Sequence, residues 1–185
     1  MSLPPPRFVT PRPYPHTGPR IHAFDAPDVF QAKIAAPFGV IGIGTGGGCV
    51  TSISYLPADE SEQAPGDALA ARAVRELERY FDDPQFRFTV PLAAHGTPFR
   101  QRVWDAIRAI PLRESRTYGE IARQVRSAPR AVGQACGANP IALVVPCHRV
   151  VGSRGALGGF MHASAGDPLS IKRWLLVHEG YRFGR

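Results

Sequence analysis

The sequence predicts a mixed α/β (α+β) protein, with strands gathered in its first half and helices in its second. Two observations carry that expectation. β-Branched and alternating apolar segments fill residues 29–56, whereas an apolar period of three to four residues returns from Thr97 onward. Charge divides at the same place. Residues 1–96 hold 8 basic and 10 acidic side chains, and residues 97–185 hold 14 and 5, so the net charge of +7 belongs to the second half.

At 185 residues the chain is long enough for one domain or two small ones with a real core. It has no run of 18 apolar residues and no basic start followed by an apolar stretch, so neither a membrane span nor a secretory signal is expected. Cys49, Cys136 and Cys147 are an odd, scattered set. They fit a reducing, cytoplasmic setting and match no metal-ligand spacing, so neither metal nor cofactor is expected. Of the 22 basic residues 20 are Arg. Arg grips phosphate with two parallel hydrogen bonds and stacks on bases, so nucleic acid is one candidate partner, beside a plain compositional bias toward Arg.

The elements follow in order. Residues 1–20 contain seven prolines and read as an extended or flexible lead-in. Three strands follow, QAKIAAPF, GVIGIGT and CVTSISYLP, the last two joined by a turn at Gly46-Gly47-Gly48. That glycine run lacks the Lys-Ser/Thr and following helix of a phosphate loop. A helix is predicted from Asp67 to Phe81 on the stripe Leu69, Val74, Leu77, Tyr80 and Phe81, and an extended stretch from Phe86 to Leu92. A boundary near residues 93–96 divides the chain into parts 21–93 and 97–185.

Thr97 and Pro98 form a helix start, followed by Phe99, Val103, Trp104, Ile107 and Ile110 on one face, with Pro111 as the stop. Thr117 caps a second helix, Tyr118 to Val125, and a third runs from Arg130 to Gly137 after the turn Ser127-Ala128-Pro129. This pair has the layout of a helix-turn-helix. Its second helix carries Ala131, Gly133, Ala135 and Gly137, a face that either packs tightly or approaches a narrow groove.

Beyond Asn139-Pro140, the apolar run from Ile141 to Val145 reads as a buried strand or extended segment ending at Pro146-Cys147-His148-Arg149-Val150. A thiolate is a strong nucleophile, but a free thiol is only a few per cent ionised at neutral pH, so it needs a base or a positive neighbour. His148 and Arg149 stand beside Cys147, and Glu179 is a carboxylate able to orient an imidazole.

The stretch RAVGQACGANPIALVVPCHRVVG, with GTPFRQRVWDAIRAIPLRESRTYGEIA before it and WLLVHEG after it, resembles the O6-alkylguanine-DNA alkyltransferases (methylated-DNA–protein-cysteine methyltransferases). The resemblance covers residues 65–181 well and 29–64 loosely. It implies a ribonuclease-H-like small antiparallel sheet with helices, followed by a winged-helix-like domain holding the helix-turn-helix. It also implies a monomer that binds double-stranded DNA containing O6-alkylguanine through the minor groove. The alkyl group would pass irreversibly to Cys147, and less readily from O4-alkylthymine, after the damaged base is flipped out.

By that resemblance His148 relays the thiol proton through a water, Glu179 orients His148, Asn139 braces the turn before the cysteine, and Tyr118 protonates the departing guanine. Arg130 fills the gap in the stack, and Ala131, Gly133 and Ala135 lie in the groove. Arg100, Arg116, Arg123 and Arg126 are the expected phosphate contacts. Pro140, Val150, Phe160 and Met161 are the expected base pocket, with carbonyls of Cys147 and Val150 taking the guanine amino group. Phe160 stands where the family has Tyr, in a loop, residues 155–171, longer than the usual one, in which His162 and Asp167 read as polar loop residues. The zinc ligands of some relatives have no counterpart.

Two other readings were open at this point. Alkyltransferase-like proteins bind lesions without chemistry, but they replace the active cysteine, commonly with Trp, and Cys147 is present here. A transcription regulator accounts for the basic half but not for PCHRV.

Overall fold

The computed structural model describes residues 29–161 and 167–183. The proline-rich lead-in and His162 lie outside the described residues. Strands β1 (Ala32–Ala36), β2 (Gly39–Gly46) and β3 (Cys49–Leu56) form an antiparallel sheet in the order β1-β2-β3. The β2–β3 turn falls at Gly47 and Gly48, both at positive φ, a conformation costly for any side chain with a Cβ.

Helix α1 (Ala68–Asp82) starts where Asp67 accepts the Ala70 N–H, and it packs on the sheet through Ala70, Ala73, Leu77 and Tyr80. Buried Glu76 receives the backbone N–H groups of Thr89 and Val90 and the Thr89 hydroxyl, which ties the returning chain to the helix. That return is extended as expected. Its regular pairing is limited to a parallel bridge between Leu92 and Val50.

Helix α2 (Pro98–Arg108) has Thr97 as its cap and Pro98 in its first turn; it ends at Ala109, two residues before Pro111. Helix α3 (Tyr118–Gln124) has a full capping box between Thr117 and Glu120. Helix α4 (Pro129–Gly137) follows, and the Trp104 indole of α2 donates to the Ala135 carbonyl at 2.8 Å, fixing α2 against α4. A short parallel pair joins β4 (Arg116–Thr117) to β5 (Val150–Val151). Helix α5 (Asp167–His178) opens at Asp167, so the loop expected over 155–171 gives way to helix five residues early. No helix among the described residues is long and apolar enough to cross a membrane.

One element differs from its sequence reading in a way that matters. The apolar run Ile141 to Val145 is a turn and not a strand. Its Val144 and Val145 N–H groups return to the carbonyls of Ala142 and Ile141, and Leu143 sits at φ +68°. Only Ile141 pairs as a strand residue, in a parallel bridge to Ile53 of β3 with bonds from Ile53 N to Pro140 O and from Ala142 N to Ile53 O. A buried turn satisfies its backbone internally and is as apolar as a buried strand, so hydrophobicity does not separate the two. The free edge of β3 therefore takes chain from both sides of the boundary, residues 91–93 and 140–142. The sheet is a wall against which the Cys147 segment is built.

Candidate active site

Cys147 opens a single 3₁₀ turn, Cys147–Arg149, directly after this braced turn, and is 6% exposed. Asn139 holds the approach from three directions. Its amide donates to Val145 O at 2.9 Å and to Cys147 Sγ at 3.3 Å, and its Oδ1 accepts the Ile141 N–H at 3.1 Å. Cys136 lies beside the Cys147 sulfur. That neighbouring thiol and burial push the Cys147 thiol up, and the Asn139 amide and the Lys172 ammonium only partly offset them. At neutral pH Cys147 is a protonated thiol, so its chemistry needs a base.

His148 follows Cys147 directly in the chain. It is 1% exposed, and its Nε2 meets Glu179 Oε1 at 2.9 Å. Nε2 bonds a carboxylate only as N–H, which leaves Nδ1 as an unprotonated acceptor. Nδ1 is buried with no partner among the described residues, and His148 lines the same cavity as Cys147. Burial lowers the imidazole pKa and the bond to Glu179 works against it, so the ring is neutral at physiological pH. Arg149 lies on the other side of Glu179, donating Nε to Oε2 and Nη2 to Oε1, both at 2.8 Å, and Nη1 to Ile110 O.

Two cavities meet at Cys147. One reaches back to Ile53, Ser54 and Tyr55 of β3 and includes His148 and Asn139. The other opens beside α4, between Tyr118, Arg130, Gly133 and Gln134 on one side and Gly159, Phe160 and Met161 on the other. The Tyr118 hydroxyl donates to Gly159 O at 2.8 Å, and burial keeps that phenol protonated far above neutrality. Gly158 sits at φ +70°, where a Cβ would lie 3.0 Å from both Gly152 N and the Tyr118 ring, so the loop closes this tightly only with glycine there.

The sequence reading missed Lys172. It is fully buried on α5, and its ammonium donates to the carbonyls of Val150 (2.6 Å), Leu157 (2.7 Å) and Gly159 (3.0 Å), beneath the rings of Tyr118 and Phe160. Burial pulls its pKa down to about 8, and the nearby thiols oppose the shift. The available signal was its place in IKRWLLVHEG: one of only two lysines, among residues that face the core.

The sequence-predicted residues separate into groups. Cys147, His148, Glu179 and Asn139 come together in one bonded cluster. Tyr118, Arg130, Gly133, Phe160 and Met161 line the second cavity with Cys147. Pro140 lines neither cavity, because its carbonyl is bonded to Ile53 in the β3 edge. Val150 lines neither, and its carbonyl already accepts Lys172. Ala135 is not on a groove-facing surface: it is 1% exposed and packed in the core, on the helix side that Trp104 bonds. Ala131 and Gly133 are half-buried. Arg116, Arg123, Arg126 and Arg130 are exposed and Arg100 half-buried, with Arg116 paired to Glu114 at 3.2 Å.

Residues 98–181 match the family described as 6-O-methylguanine DNA methyltransferase, DNA binding domain. A methylated-DNA–protein-cysteine methyltransferase of Mycobacterium bovis is 40% identical over 161 residues, 83% of this chain and 94% of that protein. The chain belongs to the methylated-DNA–protein-cysteine methyltransferase family. Another member, from Methanosarcina acetivorans, is 48% identical over 110 residues, 58% of this chain and 67% of its own length. Among solved structures, that of Mycobacterium tuberculosis OGT in complex with DNA superposes with a TM-score of 0.67 at 40% identity, covering 80% of this chain and 90% of that one. The likeness thus extends beyond residues 98–181, which match the family's DNA-binding domain, into the sheet.

Proposed function

We propose that this chain is a single-turnover DNA repair methyltransferase that moves the alkyl group of O6-alkylguanine in duplex DNA, and less readily of O4-alkylthymine, onto Cys147 Sγ. The observation that carries the reading is the buried His148 Nδ1 without a partner, in the same cavity as a protonated Cys147 and backed by Glu179. A water between them would pass the thiol proton to Nδ1 as the S–C bond forms and the O6–C bond breaks. The guanine leaves with a proton from the Tyr118 hydroxyl, and the thiol proton taken up by His148 replaces it on the Tyr118 oxygen. The products are a thioether and guanine. A thioether does not hydrolyse, so each molecule acts once.

The second cavity suits the flipped base, since the target atom is out of reach within the stack. Exposed Arg130 at its rim would fill the gap. The carbonyl of Cys147, which lines that cavity, already accepts one hydrogen bond and keeps a second lone pair for the guanine amino group. We read the first part as ribonuclease-H-like, the second as winged-helix-like, the division at residues 93–97 as a domain boundary, and the protein as a cytoplasmic monomer. Ala131, Gly133 and the exposed Arg123, Arg126 and Arg116, with Arg100, are the groove and phosphate contacts of that reading.

The test is the intact mass after incubation with a duplex carrying one O6-methylguanine, followed by peptide mapping. One methyl group on Cys147, stoichiometric and without turnover, is the expected result. Tight lesion binding with no mass change would overturn the enzyme assignment. Arg130→Ala should slow repair of the duplex by roughly tenfold or more, the equivalent of about 1.4 kcal/mol, while reaction with free benzylguanine keeps its rate. Equal losses on both substrates would remove Arg130 from the flipping step.

A further inference from the structure

We propose that Tyr80, on α1 in the first half of the chain, is a positioning residue for alkyl transfer: its hydroxyl holds the Glu179 oxygen that also receives His148, and so sets how strongly that carboxylate polarises the imidazole. The inference rests on the alkyl-transfer reading above.

The Tyr80 hydroxyl donates to Glu179 Oε1 at 2.9 Å, and the bond is buried. Three donors converge on that one oxygen: Tyr80, His148 Nε2 at 2.9 Å and Arg149 Nη2 at 2.8 Å. A carboxylate oxygen has two lone pairs, so three donors share what two would use fully. Each bond to Tyr80 is therefore electron density withheld from His148. In a buried site such sharing is felt strongly, because no water screens it.

Tyr80 is also held in place independently of Glu179. His178 Nε2 lies 2.8 Å from its carbonyl oxygen, and its ring packs against Phe88 at 5.6 Å and His178 at 5.3 Å between ring centres. The hydroxyl is thus aimed by α1 and α5 together, and the sheet half contributes directly to the site. Other ionisable groups surround the cluster. Tyr55 on β3 lies near both Cys147 and Glu179, Arg149 acts on Tyr80, Glu179 and His148, and the Lys172 ammonium acts on His148 and Cys147. None of these is altered by removing one hydroxyl.

The sign follows. Tyr80→Phe leaves Oε1 to His148 and Arg149 alone. The carboxylate then binds imidazolium more tightly and His148 becomes more basic. Transfer requires neutral His148, so the acid limb of the transfer rate should move to higher pH. A hydrogen bond to a charged group is worth enough to shift it by roughly half a unit to one unit.

The experiment measures the pH dependence of single-turnover transfer from benzylguanine for wild type and Tyr80→Phe, with thermal unfolding of both. The His148 ring resonance, assigned with His148→Gln, is titrated in parallel in the absence of substrate. Expected are an acid limb and a His148 titration both displaced to higher pH in Tyr80→Phe. An acid limb and a His148 resonance that coincide with wild type would overturn the role of Tyr80, whatever the change in stability. If wild type transfers nothing, the alkyl-transfer reading fails, and the His148 titration still decides whether Tyr80 tunes the imidazole.

Discussion

Cys147→Ala is expected to abolish alkyl transfer and to leave binding to a lesion-bearing duplex within about threefold of wild type, a change of well under 1 kcal/mol in affinity. The sulfur makes one described contact that the turn uses, the 3.3 Å bond from Asn139, and the same amide also bonds Val145 O. Removing the thiol therefore leaves the brace standing, with Asn139 Oδ1 still holding the Ile141 N–H. The exposed Arg123 and Arg126 line neither cavity that Cys147 borders, and Arg130 stands at the rim of the second. Intact mass and fluorescence anisotropy on the same duplex separate chemistry from binding. A methyl group gained by the alanine variant would move the acceptor to another residue. Cys136 would then be the first to map, since it lies beside Cys147 in both cavities.

Much of this architecture is legible in the sequence where the interactions are local. Thr97-Pro98 and Thr117 mark helix starts because a cap and its helix are neighbours in the chain. The cysteine, its histidine and the carboxylate were legible through the PCHRV and HEG patterns. What escaped was tertiary. Tyr80 was read as one more apolar position on the α1 stripe, because nothing near it in sequence reveals a carboxylate 99 residues away. Ala135 was placed on a groove-facing surface because helical period alone does not tell which side Trp104 will cover. The apolar run before Cys147 was misread because a turn at Leu143 φ +68° needs no glycine when Asn139 and the β3 edge hold it from outside.

Glu179→Gln should be the most destabilising single change in the site and should slow transfer by roughly a hundredfold, the lower end of what a lost acid–base pair is worth. Glu179 is 2% exposed and receives His148, Tyr80 and both arms of Arg149. Glutamine keeps one acceptor oxygen and turns an N–H₂ toward the guanidinium, which loses its counter-charge. Breaking a buried pair in this way costs about 3–5 kcal/mol. The pH dependence identifies the cause. Burial alone would raise the Glu179 carboxyl, but the bonds from His148 and Arg149 outweigh it and hold it well below the usual range. A depressed carboxyl stabilises the fold fully above its unfolded value of about 4.3, and that contribution is lost as pH falls toward the folded value. His148, lowered by burial, adds a loss of stability that begins below about 6.5, where the unfolded chain takes up a proton that the folded one resists. Wild type should therefore lose stability steeply on acidification. The glutamine variant lacks the carboxyl part of that loss, so the gap in urea midpoint between the two should hold from pH 7 to about pH 5 and narrow progressively below about pH 4.3. A gap that stays constant from about pH 5 down to about pH 3 would mean that the penalty arises from packing, and that the charge on Glu179 is not what holds Arg149 and His148 in place.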